Sequence, residues 1–407
     1  MQAYDVIVVG GGPAGATAAR VLGDAGISTL LLDKSAFPRD KPCGGGISAR
    51  VMSRFPYLEP ELRGIPVNWV NKVYFEAPDG AAVDYVSEDR LYLMIRRVEF
   101  DNLLFSLARK QVDAVTPALV RKMAVDASGV TLETDVAGER KEYRGRLVLG
   151  CDGANSVVAR GSGLRSGPIR NQYAIDMMEE TPYAALGLAE RDRMYVYYGY
   201  QGQYGYGYVF PKTNHVNLGI GCKLEQYLSG MRGEQYTHHR RFVEGLISKR
   251  LLAGASDRAN FRAFPLPISG PAPRTYSDRV LLAGDAGGFV NAFTAEGIYY
   301  AMVTGDHAAR TAMDAIRKKG DLSAYERAWK KEIGQDLAKS VSIQRLLLAD
   351  LSRVNRIVKA AAHNPTLAGL LAHYATGALP YKQFKRSMVF RALPLYAREK
   401  TRAWLRA

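Results

Sequence analysis

A glycine-punctuated stretch near the start of the chain, Tyr4 to Asp33, most constrains what the chain can become. Its apolar run Val6 to Val9 reads as a strand buried on both faces, and Gly10, Gly12 and Gly15 follow it as G-x-G-x-x-G. A helix comes next, carrying Ala16, Ala18, Ala19, Val21 and Leu22, and Gly26 closes it. Thr29 to Leu32 reads as a second strand ending in an acid, Asp33, 18 residues after Gly15. In such a βαβ unit Gly10 permits the tight turn, Gly12 lets backbone approach phosphates, and Gly15 lets helix pack on strand. The N–H groups and positive dipole end of the helix suit a pyrophosphate, and Asp33 suits ribose hydroxyls. The expectation is a dinucleotide site formed by Gly10, Gly12, Pro13, Ala14, Gly15, Asp33 and Lys34.

The 407 residues can bury a large core and suit two domains or one elaborated domain. With 47% hydrophobic residues, the chain is globular rather than disordered. Cys43, Cys151 and Cys222 are too few for a disulfide framework or a four-cysteine iron–sulfur cluster, which favours a reducing, cytoplasmic setting. No signal peptide is read ahead of the first strand, and no apolar run has the length of a membrane span. The net charge of +15 draws in part on residues 382–407, where eight basic residues face one acid, Glu399, among apolar ones such as Phe390 and Trp404. Two readings of this tail stay open: a segment lying on an anionic membrane surface, or a solvated helix packed on the body. Nucleic acid is not expected, because no recognised nucleic-acid module accompanies the charge.

Further along, Lys34 to Ile47 is a turn-rich loop with Gly44, Gly45 and Gly46 after Cys43, a run that brings backbone close to something flat or bulky. Beside a cofactor fold, that object reads as the redox ring. Val73 to Val86 reads as a hairpin turning at Asp79-Gly80, where an inserted domain begins. Arg97 opens a helix through Leu107, either reaching a phosphate or ribose or pairing with Glu99 or Asp101. Leu119 to Thr134 is another hairpin, and the strand Arg146 to Gly150 runs into Asp152-Gly153. Arg279 to Ala283 ends in Gly284-Asp285, and a helix from Tyr299 follows Gly297-Ile298. Asp285 is thus placed to accept a ribityl hydroxyl, with the helix N-terminus towards the pyrimidine end of a flavin.

The middle segment is crowded with tyrosines. Tyr206, Tyr208 and Phe210 alternate with Gly205, Gly207 and Val209, so a strand shows three aromatics on one face, either walling an apolar pocket or forming core. His215 to Gly221 is its partner, with Val216, Leu218 and Ile220 sharing a face. No His or Cys cluster has metal-ligand spacing, and His238-His239 reads as an exposed pair. Leu347, Leu351, Val354, Val358 and Ala361 step along an amphipathic helix that ends near Asn364-Pro365 and caps the inserted domain.

Taken together, Gly10-x-Gly12-x-x-Gly15, Asp152-Gly153 and Gly284-Asp285 resemble the three FAD fingerprints of the p-hydroxybenzoate hydroxylase-like flavoproteins, and Arg97-x-x-Phe100-Asp101 resembles their arginine-bearing helix start. Within that group, Lys41 to Gly46, Tyr206-x-Tyr208-x-Phe210-Pro211 and Glu296-Gly297-Ile298-Tyr299 resemble the geranylgeranyl reductase family, across almost the whole chain. The family's aromatic motif usually carries tryptophan where this chain has Tyr208.

The resemblance implies an α/β fold: a Rossmann-like FAD-binding domain (1–70, 97–170 and 272–325), an inserted mixed β-sheet substrate domain (71–96 and 171–271), and a C-terminal helical region (326–407) with the basic apolar tail. It implies FAD as cofactor, NAD(P)H or reduced ferredoxin as electron donor, and a prenylated lipid or prenyl diphosphate whose double bonds are saturated. Cofactor contacts fall to the residues of the first turn, to Cys43, Gly44, Gly45 and Arg97, and to Asp152, Gly153, Gly284, Asp285, Gly297 and Ile298. Cys43, Tyr206 and Tyr208 become the catalytic set, the tyrosines lining a channel and Cys43 relaying a proton, unless Cys43 is only a small residue in a tight turn. Competing expectations are a monooxygenase or halogenase on the same fold, and an electron carrier to membrane quinone.

Overall fold

The computed structural model describes residues 2–165, 170–318 and 320–392. The chain divides into two compact units, one of Met1–Pro42, Arg96–Ala174 and Pro265–Val341, the other of Cys43–Ile95, Ile175–Phe264 and Ser342–Ala407.

The first unit is built on a sheet in the order Asp113–Val115, Thr29–Leu32, Gln2–Val9, Glu139–Gly150, Gly129–Val136, Ala118–Asp126, with Val280–Leu282 also pairing with Glu139–Gly150. Its central strands run parallel in the registers Val6↔Thr29, Ile7↔Val148 and Val148↔Val280. Val6, Ile7 and Val8 are fully buried, as a strand covered on both faces requires. The first helix, Pro13–Asp24, packs against this sheet and against the 21-residue helix Ile298–Lys318. A Cβ on Gly305 of that second helix would sit 2.2 Å from the Ala14 carbonyl oxygen, so the two backbones touch. The hairpin expected around Ser128-Gly129 is present, and the strand expected from Arg146 extends back to Glu139 because its first half pairs with Gly129–Val136.

The second unit has a mixed sheet in the order Phe261–Pro267, Tyr173–Pro182, His215–Lys223, Gly205–Pro211, Arg193–Tyr198, Lys72–Glu76, Ala82–Val86. Strand alternation gives it two different faces. One carries Ile175, Met177, Tyr197, Val209, Leu218 and Ile220 against Phe242, Val243 and Leu246 of the helix Gln235–Ser248. The other carries Val73, Phe75, Val196, Tyr206 and Phe210, packed with Val70, Tyr92 and Met94. The hairpin turning at Asp79-Gly80 is present, and Val354, Val358 and Ala361 of the helix Leu351–Ala362 pack on its Ala77 and Val83. Asn364 then caps the next helix, Pro365–Ala375, so the expected helix boundary falls where Pro365 puts it.

Three expectations differ from this arrangement. Residues 43–70 group with the second unit, because Gly46–Ser48 and Asn68–Val70 both pair with Tyr92–Met94. The C-terminal region divides: residues 326–341 belong to the first unit and the helices after them to the second. His239 is fully buried instead of exposed, since it shares the inward helix face of Phe242, Val243 and Leu246, and its Nε2 lies 3.1 Å from Glu179 Oε2. Residues 393–407 of the basic tail lie outside the described residues. No helix among the described residues is long and apolar enough to cross a membrane.

Candidate active site

In the first unit the turn after the first strand is tight enough to exclude side chains. Gly10 has φ +103°, and a Cβ there would lie 2.3 Å from the Cys151 carbonyl oxygen. A Cβ on Gly15 would lie 1.8 Å from the Gly10 carbonyl oxygen. At Gly12 the nearest neighbour is an Arg39 guanidinium nitrogen at 3.4 Å, which leaves its backbone open to a ligand. The helix starts at Pro13 with Gly12 as its cap, no side-chain cap and no acid in the first turn, so its positive end is uncompensated within the helix. A pyrophosphate fits this donor set.

Asp33, which is buried, accepts the Gly11 N–H at 2.7 Å and the Ser35 N–H at 2.8 Å, which fixes the turn beside the expected ribose position. Lys34 beside it is exposed. Arg39, which the sequence reading did not select, lies 3.7 Å from Asp33, 3.2 Å from Asp101 and close to Gly12. Only a basic residue a few positions after the strand-ending acid could have signalled it. Arg39→Ala is expected to weaken FAD binding roughly 10- to 100-fold, the worth of one charge-assisted contact, in a flavin-fluorescence titration. Unchanged affinity would place Arg39 in a purely structural role.

Arg97 is buried and grips Asp101 with two 2.7 Å hydrogen bonds. Asp152 is also engaged locally, accepting from the Ser156 hydroxyl and from the N–H groups of Val157 (2.7 Å) and Val158 (3.2 Å) at the start of a short helix. Burial raises its carboxyl above the usual range, opposed by those hydrogen bonds. Gly153 beside it, at φ +79°, is open. Gly284, at φ +58°, donates its N–H to Thr304, and the Asp285 carboxylate meets Lys41 Nζ at 3.5 Å. A Cβ on Gly297 would come within 3.5 Å of that carboxylate, so Asp285, Gly297 and the helix start at Ile298 are neighbours as expected.

In the second unit the three aromatics line one face: Tyr206 and Tyr208 have ring centroids 6.4 Å apart, Tyr208 and Phe210 4.6 Å. The glycine loop lies against them. A Cβ on Gly44 would meet Phe210 at 2.9 Å, and one on Gly46 would meet Tyr92 at 2.5 Å. Gly45, at φ +62°, is pressed on the Ile95 carbonyl. The glycines after Cys43 are therefore already required by packing inside their own unit. Cys43 is half-buried, and its Sγ accepts the Gly45 N–H at 3.4 Å. Lys212, buried, donates to the carbonyls of Gly44 and Gly45, and Asn217 donates to the Cys43 carbonyl at 3.1 Å. Asp176 lies beneath Tyr208, whose hydroxyl donates to both its oxygens at 3.3 and 3.2 Å. Neither Lys212 nor Asp176 was selected from sequence. Among the described residues no three His, Cys, Asp or Glu side chains form a metal-binding group.

The glycine turn, the uncompensated helix end and the mostly parallel sheet make the first unit a dinucleotide-binding domain of the flavoprotein type, and the FAD binding domain family matches residues 3–310. Over 336 residues the chain is 31% identical to geranylgeranyl diphosphate reductase of Rhodobacter capsulatus, covering 81% of each protein. It is 30% identical over 351 residues to the chloroplastic geranylgeranyl diphosphate reductase of Arabidopsis thaliana, covering 80% of this chain and 70% of that one. The chain belongs to the geranylgeranyl reductase family of FAD-dependent oxidoreductases. A geranylgeranyl bacteriochlorophyll reductase-like structure from Thermoplasma acidophilum, 23% identical, has the same fold, with a TM-score of 0.82 over 95% of this chain and 99% of that one.

Proposed function

We propose that this protein saturates carbon–carbon double bonds in the prenyl chain of an isoprenoid lipid or prenyl diphosphate. The reading is carried by the Tyr206, Tyr208 and Phe210 face on its glycine loop, in a chain of this family. Bound and reduced, FAD supplies the hydride such chemistry needs. The chain's own residues do the rest. Gly10, Gly12, Gly15 and Arg39 hold the pyrophosphate, Asp33 the adenosine ribose, and Asp285 the ribityl chain. Lys34, Cys43, Gly44, Gly45, Arg97, Asp152, Gly153, Gly297 and Ile298 belong to the same proposed set, Arg97 and Asp152 by shaping it through their local pairs. The aromatic face excludes water and accepts the apolar chain. NAD(P)H or a reduced ferredoxin supplies electrons, and the basic tail brings the protein to a membrane surface.

Dithionite-reduced, FAD-loaded protein, incubated without oxygen with geranylgeranyl compounds, is expected to yield products heavier by about two mass units per saturated bond. Unchanged lipids, or a gain of about 16 units only when oxygen enters, would replace this reading with the monooxygenase one.

A further inference from the structure

We propose that Asp176 is the acid that protonates the alkene, held in place by Tyr208. This rests on the prenyl-chain reduction proposed above. Alternation along Tyr173–Pro182 puts Ile175 and Met177 into the core with the Gln235–Ser248 helix and turns Asp176 to the face of Tyr206, Tyr208 and Phe210. Tyr208 lies opposite Gly219 in the sheet. A Cβ on Gly219 would come within 2.9 Å of the Tyr208 hydroxyl oxygen, so the missing side chain makes room for that hydroxyl to reach Asp176 one strand further on. Tyr208 is buried and Asp176 is partly buried, and the carboxyl lies on the aromatic face of the strand with the Tyr208 hydroxyl upon it.

An isolated alkene has no carbonyl to accept electron density. Its π bond breaks as one carbon takes the hydride and the other a proton, forming two C–H bonds. Asp176 gives up that proton and, as carboxylate, recovers one from solvent before the next turnover. Burial pushes its carboxyl up to about 7, opposed by the Tyr208 hydrogen bond, so much of it carries a proton near neutrality. The neighbouring ionisable groups are less suited. Burial raises the Tyr206 and Tyr208 hydroxyls far above 10, with the Asp176 charge adding to both. The Lys212 ammonium is spent on the loop carbonyls and Glu180 is held by Asn217 at 3.1 Å, while the Cys43 thiol, which adjoins the two tyrosines, is the rival that the Cys43→Ala variant below separates.

The sign of the pH dependence follows. The acid must be protonated, so single-turnover flavin reoxidation by a prenyl substrate is expected to be fast below about pH 7 and to fall about tenfold per unit above it. Tyr208→Phe removes a hydrogen bond that favours the carboxylate and moves this limb to higher pH. Asp176→Asn slows the step by about 100-fold or more, abolishes the limb, and keeps flavin content and substrate affinity. Asp176→Glu restores part of the rate, and Cys43→Ala keeps the limb. A readout independent of turnover is the infrared carboxyl band of the flavin-free protein. It should titrate near 7, disappear in Asp176→Asn and move upward in Tyr208→Phe. Wild-type rates or a persisting limb in Asp176→Asn, or no such band in the wild type, would overturn the assignment. A wild type that saturates no prenyl chain, with the band present, would overturn the function on which it rests.

Discussion

Gly15→Ala is expected to yield a protein that retains no FAD and melts far below the wild type. The added methyl would lie 1.8 Å from the Gly10 carbonyl oxygen, and the obstacle is backbone, so no side-chain rotation relieves it. Gly10 cannot retreat, because it is itself pressed against Cys151 at φ +103°. Nor can the helix lift away alone: Ala14 is in backbone contact with the long helix at Gly305, so the displacement would spread through two helices. The cost exceeds the roughly 1–3 kcal/mol of ordinary core overpacking. Gly12→Ala separates folding from binding. Its methyl would meet only the Arg39 guanidinium, at 3.4 Å, so the flavin-free protein should melt as the wild type does while FAD affinity falls. Thermal melts with and without flavin, read with a flavin-fluorescence titration, check both. A Gly15→Ala protein with a normal melt and stoichiometric FAD would show that the close helix–strand approach is dispensable.

The same turn shows why the first unit could be read in advance. Its determinants lie within 33 residues, and each local requirement leaves a glycine or an acid at fixed spacing. The aromatic strand was legible for a similar reason, since alternation states directly which residues share a face. What escaped depends on partners far along the chain. Asp176 acquires its meaning from Tyr208, 32 residues away, and Arg39 from Asp101. Residues 43–70 go to the second unit through pairing with Tyr92–Met94, and no short pattern around Cys43 encodes that. His239 was misjudged because adjacency to His238 hid its place on the apolar side of a helix. Only two residues around Asp176 carried a signal, the apolar Ile175 and Met177, which mark an acid turned away from its neighbours' side of a strand.

Lys212→Met is expected to destabilise the protein by about 2–4 kcal/mol and to release the loop that carries Cys43. Lys212 is 1% exposed, and its ammonium donates to the Gly44 and Gly45 carbonyls, the latter at 2.8 Å. Hydrogen bonds from a charged group contribute about 1.5–3 kcal/mol each, and their loss leaves buried carbonyls without that donor. Methionine fills a similar volume and no longer requires burial of a charge, which offsets part of the loss. The loop then keeps the Asn217 hydrogen bond to the Cys43 carbonyl and the Gly45 N–H contact to the Cys43 sulfur. These hold the Cys43 end, while the Ile95 N–H bond to the Gly45 carbonyl and the Gly46↔Met94 pairing hold the other, so Gly44 between them should move relative to the aromatic strand. Native-state thiol labelling reports this selectively, because Cys151 and Cys222 are buried and Cys43 is half-buried. Faster labelling of Cys43 with a lower melting temperature is the expected outcome. Labelling at the wild-type rate would mean that Phe210 and Tyr92, packed on Gly44 and Gly46, hold the loop without the ammonium.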